Sequence, residues 1–420
     1  MGVKKMRDYI KQIEVLDYTR EADPRLEIPR ILREEHKAFH FKNIKSSDYS
    51  LIGNICNSRS KFARALGVDK QELITKLNNA LEYPTRPKQT SKGACQQVIE
   101  EEVDLTALPI PTYTSSDMGP YITSAVYITS DPEYGFNMSF HRASPISKNK
   151  LVARLCKRDL YEYLKRAGGE LKVALCIGVH PAILLAAALS TQIEQSELDI
   201  ANTLGEFRLV KCIRSDLLVP ANSEIILEGK ITRQRHTEGP FLDVTRTLDK
   251  VRKEPVIEIE LITHRKNPIY HAILPSLREH QLLMGMPREP IIYNQVSRVC
   301  ACRGVHLSSG GCGWLHGIVS IEKNKPDDAA NAIRAAFRAH KSMKHLVLVD
   351  SDINVYDKGA VEWAIATRYQ GDVDTHTFKE KGSSLDPSCG KDNMTTKIGL
   401  DATIPSKAEK KMFREVRVGE

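Results

Sequence analysis

Apolar positions recur along the chain in two rhythms, one of about four residues and one of two, and the switches fall where proline and glycine punctuate it. Leu73, Leu77 and Leu81 stand at four-residue steps behind Asp69-Lys-Gln-Glu72, an acid-capped start with glutamate three residues on. This predicts a helix ending at Tyr83-Pro84. Residues 85–97 are polar and basic and lead to Leu108-Pro-Ile-Pro-Thr112, so 85–115 reads as a connection. Tyr121 to Thr129 and Phe136 to Ser144 read as strands on either side of Asp131-Pro-Glu-Tyr-Gly135, and that turn composition predicts a hairpin. Helices are expected over 159–167 and 197–204 and after Pro181, with strands over 173–179, 210–212, 224–231 and 256–263. In the last of these, Ile257, Ile259 and Leu261 alternate with Glu258 and Glu260, as in a sheet with one wet face.

The final third alternates strand and helix: strands over 318–321 and 345–349, helices over Pro326 to His340 and Gly359 to Thr367. That alternation predicts a parallel α/β layer. The fold class is therefore α/β (α+β) in three parts: an N-terminal α/β portion with its connection over 1–115, a β-rich centre over 116–315, and a C-terminal α/β domain over 316–420.

With 41% apolar and 27% charged residues among 420, the chain can bury a sizeable core and reads as globular. A net charge of +8 from 61 basic and 53 acidic residues favours anionic small molecules weakly. No basic block interleaves with aromatics, which argues against nucleic acid. No apolar run nears the ~18 residues a membrane span needs, and nine scattered cysteines fit a reducing cytoplasm better than a disulfide framework.

Two stretches carry candidate chemistry. Thr237-Glu238-Gly-Pro-Phe-Leu-Asp243 sets two carboxylates across a Gly-Pro turn, where both can face one cleft; paired acids push their proton affinities apart, leaving one charged and one able to carry a proton. Asn137-Met-Ser-Phe-His-Arg142 adds a neutral oxygen donor and a guanidinium, a fixed fork for a carboxylate. Residues five apart on one strand face opposite sides, so Arg142 is expected at a strand end or bulge, meeting Glu238 and Asp243 over a substrate acid.

Asn137 to Arg142 is followed by Lys148-Asn-Lys150, then by Val219-Pro-Ala-Asn-Ser-Glu-Ile-Ile-Leu-Glu-Gly229, Glu238-Gly-Pro-Phe241 with Asp243, Val349-Asp-Ser-Asp-Ile-Asn354 with Trp363-Ala-Ile-Ala-Thr-Arg368, and Lys397-Ile-Gly-Leu-Asp401. In that order these stretches resemble the UbiD-like decarboxylases over most of the chain. The resemblance implies a central split β-barrel binding prenylated FMN and a C-terminal domain used in homo-oligomerisation, as a dimer or hexamer. It implies Arg142, Glu238 and Asp243 as the catalytic set, with Asp243 the proton donor and Glu238 its partner, or those two roles exchanged. It implies Asn137 and Glu197 as ligands of Mn2+ or Mg2+ at the cofactor phosphate, with K+ as a further ion. Around the cofactor it places Phe140, His141, Arg154, Leu155, Arg158, Ala187, Ala188, Leu189 and Lys323. It also implies a flavin prenyltransferase as cofactor supplier.

One departure stands out. Where many members carry a metal-liganding histidine, this chain reads Arg154-Leu-Cys-Lys-Arg158-Asp159. Either the ion has one ligand fewer, or Asp159 substitutes, or Arg154 and Arg158 contact the phosphate directly; arginine's aptitude as a phosphate fork favours the last. The basic residues resemble those of archaeal members acting on trans-anhydromevalonate 5-phosphate to give isopentenyl phosphate; an aromatic acid such as a 4-hydroxybenzoate derivative is the alternative substrate. A flavin-binding or structural protein without catalysis is the competing class. Outside these motifs, Cys300, Cys302, His306 and Cys312 have spacing that would seat zinc, or are plain thiols. Ser309-Gly-Gly311 lacks a phosphate-loop ending and reads as a turn. Asp350 and Asp352 are a metal pair or strand-end caps of the next helix. His141 faces the cofactor or the core.

Overall fold

A computed structural model describes residues 3–390, 392–405, 410–413 and 415–416. The chain divides into two compact units, Met1–Leu283 and Met284–Glu420.

Two sheets dominate the first unit. The smaller runs in the order Leu16–Ala22, Phe39–Ile44, Ser50–Gly53, Ile269–Ala272, so the N-terminal region is completed by a strand from far later in the chain. The larger sheet follows the order Gly135–Phe140, Val126–Asp131, Leu171–Ile177, Ile225–Glu238, Arg252–His264, Lys150–Ala153, Ala143–Ser147, antiparallel throughout. Its outermost strands, Gly135–Phe140 and Ala143–Ser147, are consecutive in sequence and separated only by His141 and Arg142. A two-residue link cannot span an open sheet, so the sheet curls until its edges meet: a split β-barrel with Arg142 on the seam. Ala143 also bridges to Ile122 there. Tyr127, Leu151, Leu175, Leu227 and Ile257, all fully buried, fill the core.

Local signals act as expected where partners are close in sequence. The Asp69/Glu72 capping box forms around a 3-10 turn and feeds the helix Leu73–Glu82, which buries Leu73 and Leu77. The helix Glu197–Leu204 and the hairpin around residues 131–135 also form. In this unit two expectations need correction. The 85–115 connection is woven into sheets, with Lys88–Gln89 pairing with Arg208–Lys211 and Val98–Glu100 with Arg252–His264. The strand expected to end at Ile231 runs on to Glu238, because its exposed polar residues Arg233, Gln234, Arg235 and His236 hide the alternation. Where it crosses Arg252–His264 the register shifts at Glu228/Gly229, and a Cβ on Gly229 would lie 2.1 Å from the Glu258 carbonyl oxygen, so the backbones approach this closely only with glycine.

The second unit holds a five-stranded sheet in the order Ala301–Leu307, His316–Glu322, His345–Asp350, Met394–Ala402, Thr375–Lys381. The three inner strands are parallel and both edges antiparallel. The expected parallel layer thus forms at the centre and is mixed at its edges, because the edge strands arrive by hairpin-like returns that helix-strand alternation does not reveal. Asp350 and Asp352 do not cap the following helix: both grip Arg368, at 3.3 Å and 2.6 Å, while Asp357 caps Lys358–Arg368. Cys300, Cys302 and Cys312 are free thiols, and among the described residues no group of three or more His, Cys, Asp or Glu side chains is placed to hold a metal. Ser308 to Gly311 turn on the Gly311 N–H, which donates to Ser308 Oγ at 3.2 Å.

Candidate active site at the barrel seam

The seam assembles an ion cluster around Arg142. Gly135–Phe140 ends two residues before it, freeing the side chain from strict alternation, and the Arg142 carbonyl is fixed by the Arg154 N–H at 3.0 Å. Opposite, the long strand delivers Glu238 at its last position, fully buried. Gly239 then turns with φ of 90°, a value glycine alone adopts without strain. Phe241–Leu242 pairs with Leu248–Asp249, so this short hairpin carries Asp243 just beyond one strand and Asp249 at the end of the other.

Arg142 is nearly saturated. Its Nε donates to Glu238 Oε1 at 2.8 Å and Nη2 to Glu238 Oε2 at 3.1 Å; Nη1 donates to Asp243 Oδ2 at 2.7 Å; Nη2 also donates to Asp249 Oδ2 at 2.9 Å. Its guanidinium carbon sits 4.5 Å from the centroid of the Phe241 ring. The Tyr121 hydroxyl donates to Glu238 Oε1 at 3.1 Å. Arg252 holds Asp249 through two bonds of 2.8 Å. Burial works against the Arg142 charge, but the hydrogen bonds and charges of Glu238, then Asp243 and Asp249, outweigh it and strengthen its hold on its proton. His280, from the helix Arg278–Gly285, lies close enough to feel Asp243 and Arg142; burial pushes its imidazole below the ordinary value, with Asp243 pulling the other way.

Asp249 and Arg252 escape sequence reading. The acid-base spacing of three residues was the one available signal, and such pairs are common on any surface. Asp249 is pulled from 3.8 to about 2: burial pushes it up, while Arg252's hydrogen bonds and Arg142's charge pull it down further. Because the folded value lies below the unfolded one, Asp249 contributes stability above 3.8 that is lost as pH falls toward 2. Acid unfolding followed by circular dichroism is expected to show a smaller loss in that window for Asp249→Asn than for the parent.

A second constellation lies along Gly135–Phe140. Glu197, buried at the first turn of its helix, accepts from Asn137 Nδ2 at 3.3 Å, the Met138 N–H at 2.9 Å and Thr191 Oγ1 at 3.1 Å. All these donors are neutral, and burial pushes its carboxyl up to about 7. Asn137 turns its Nδ2 to Glu197 while its Oδ1 accepts from Ser139 Oγ at 3.2 Å; a carboxylate and an amide oxygen are hard donors of the kind a divalent cation takes, so these residue types fit such an ion. Asp159 contributes to the upward push on Glu197. Arg158 Nη1 donates to Ser190 Oγ at 2.8 Å, and Arg154 Nη1 to Glu254 Oε1 at 2.7 Å. His141 lies between Ser139 Oγ, at 3.1 Å, and the Arg154 carbonyl, at 3.2 Å, edge-on to Tyr127. Phe140 ends its strand half-buried, Leu155 is buried, and Ala187, Ala188 and Leu189 close the helix that Pro181 opens. Lys323 belongs to the second unit, where Nζ donates to Thr403 Oγ1 at 2.7 Å.

The comparisons with known proteins define a carboxy-lyase of the flavin-dependent, split-barrel kind. Profiles for the N-terminal, Rift-related and C-terminal domains of 3-octaprenyl-4-hydroxybenzoate carboxy-lyase match residues 11–81, 86–277 and 281–402, and the chain belongs to the UbiD family. It is 43% identical to the anhydromevalonate phosphate decarboxylase of Methanothermobacter thermautotrophicus over 98% of this chain and 100% of the relative. It is 39% identical to that of Methanocaldococcus jannaschii over 98% and 99%. Among solved structures, the UbiD-class enzyme HmfF of Pelotomaculum thermopropionicum in complex with FMN superimposes with a TM-score of 0.95 at 36% identity, covering 99% of this chain and 97% of HmfF. A dimeric form evolved from that enzyme, in complex with prenylated FMN, gives 0.92 at 35%, with the same coverage. No helix among the described residues is long and apolar enough to cross a membrane.

Proposed function

We propose that this chain decarboxylates trans-anhydromevalonate 5-phosphate to isopentenyl phosphate and CO2, using prenylated FMN. The observation that carries this reading is the Arg142–Glu238–Asp243 cluster at the barrel seam, in a chain 43% identical end to end to an anhydromevalonate phosphate decarboxylase. When bound, the prenylated flavin supplies the electron sink for the pair left behind by departing CO2. Arg142 orients the substrate carboxylate in a nearly dry cleft, where charge interactions are strong. Asp243, slightly exposed and tied to Arg142 through one oxygen, delivers a proton to the carbon that loses CO2. Glu238, which is fully buried and bonded to Arg142 and Tyr121, keeps Arg142 charged and in place. Asn137 and Glu197 would hold Mn2+ or Mg2+, with K+ as a further ion, and Arg158 is a further phosphate partner. The working form is a homo-oligomer loaded by a flavin prenyltransferase in the cytoplasm.

The test is coexpression with a flavin prenyltransferase, followed by native mass spectrometry, an absorption spectrum and CO2 release from the phosphorylated acid beside a 4-hydroxybenzoate derivative. Prenylated FMN with turnover of the phosphorylated acid is expected. Turnover of the aromatic acid alone would transfer the chain to the alternative substrate class, and a folded, flavin-free protein would favour a non-catalytic role. Glu197→Ala is expected to lose the metal, with flavin retention falling alongside.

A further inference from the structure

The charges at the seam do not balance. Three carboxylates, Glu238, Asp243 and Asp249, face two guanidinium groups, Arg142 and Arg252, which leaves one net negative charge before any acid enters. Three further titratable groups stand near these five. Tyr121 is a buried phenol whose proton burial holds more tightly, burial works against a charge on His280, and Asp117, on the neighbouring loop, is an acid engaged by the N–H groups of Thr114 and Leu242. Arg142 has also little left to give. Four of its five N–H groups already point at carboxylates, so a substrate carboxylate has one free donor, on Nη1.

The three acids are held unequally. Asp249 receives three bonds from arginine side chains, one from Arg142 and two from Arg252. Glu238 receives two from Arg142 and one from Tyr121. Asp243 receives one, from Nη1, beside its own bond from the Val244 N–H at 2.6 Å. Asp243 is therefore the least tethered of the three acids, and its one arginine bond comes from the nitrogen that also carries the free N–H.

We infer that Asp249, clamped by Arg252, is a positioning residue that sets the charge of the cluster so that substrate acid binds together with one proton from solvent, which comes to rest on Asp243 as the carboxylate takes over Arg142 Nη1. This inference rests on the decarboxylase reading and adds when the proton enters. The overall reaction consumes one proton: the carboxylate's bond to carbon breaks, CO2 leaves, and a C–H bond forms in its place. On this account the proton is taken up at binding, before the C–C bond breaks, and Asp243 is charged again after each turnover. Without Asp249 the cluster would be neutral, and the acid would enter without a proton.

The experiment is calorimetric titration of the prenylated-FMN holoenzyme in two buffers of different ionisation enthalpy, at about pH 8, where a phosphate monoester is largely dianionic. The probe is the saturated counterpart of the phosphorylated acid, which cannot react, and the control is the corresponding phosphorylated alcohol, which lacks the carboxylate. The parent enzyme is expected to take up about one proton per acid bound and none with the alcohol, and its affinity for the acid should fall about tenfold per pH unit above neutrality. Asp249→Asn should bring the uptake close to zero and flatten the pH dependence at unchanged flavin content. Arg252→Gln, which makes the cluster more negative, should move the other way, with weaker acid binding and undiminished uptake. Equal uptake in parent and Asp249→Asn, or none in the parent, would overturn the inference while leaving CO2 release intact. Failure of the holoenzyme to bind the acid at all would overturn the functional reading and this inference with it.

Discussion

Arg142→Ala is expected to release no CO2 above background and to unfold more easily by about 3–5 kcal/mol. The size of the second effect follows from what the arginine leaves behind. Glu238 is fully buried, and without Arg142 its one remaining side-chain donor is the Tyr121 hydroxyl. Asp243 loses its ion pair, and Asp249 keeps only Arg252. Removing one partner of a buried ion pair costs far more than the pair contributes, because a desolvated charge remains. Arg142→Lys restores a positive charge but cannot reproduce three acid contacts from a planar fork, so it should recover part of the stability and little of the turnover. Urea unfolding of each flavin-free protein, beside CO2 release by each holoenzyme, separates the two effects. A stable, inactive Arg142→Ala would mean that the acids are protonated or hydrated in the folded protein, against the ion pairs described above.

Asp243→Asn should lower kcat by about two to four orders of magnitude, the span typical of a lost proton donor, with flavin content and unfolding midpoint close to the parent. The amide keeps the size of the side chain and one oxygen for Arg142 Nη1, so the cluster holds together, but it carries no exchangeable acid proton to carbon. The contrast with Arg142→Ala is the useful part: one variant loses structure and chemistry together, the other chemistry alone. Retention of more than a tenth of parental kcat in Asp243→Asn would pass the proton-donor role to Glu238.

How much of this was legible in the sequence depends on how far apart the interacting residues lie. The helix behind Asp69-Lys-Gln-Glu72 is written locally, in a cap and a four-residue repeat, and forms as read. Arg142 at a strand end followed from the period of a strand alone, and Gly135–Phe140 does stop short of it. Glu238 and Asp243 could be paired in advance because one Gly-Pro turn links them. Asp249 could not: its neighbours Leu248 and Lys250 carry no periodic signal, and its partner Arg142 stands 107 positions earlier. The same limit hid the strand Ile269–Ala272 that completes the N-terminal sheet, and the antiparallel edges of the second unit, where pairing is decided between segments that share no local pattern.

The seam has a consequence for how the protein is made. Arg142 leaves the ribosome 96 residues before Glu238, 101 before Asp243 and 107 before Asp249. At about 5–20 residues per second, the arginine waits roughly 5–20 s for its counter-charges, and the edges of the barrel cannot close in the meantime, because the central strands Ile225–Glu238 and Arg252–His264 have not been synthesised. Catalytic competence is thus one of the last properties this unit acquires. Nascent chains stalled before residue 238 would hold an arginine without its acids and a sheet with open edges, the species on which a chaperone would act.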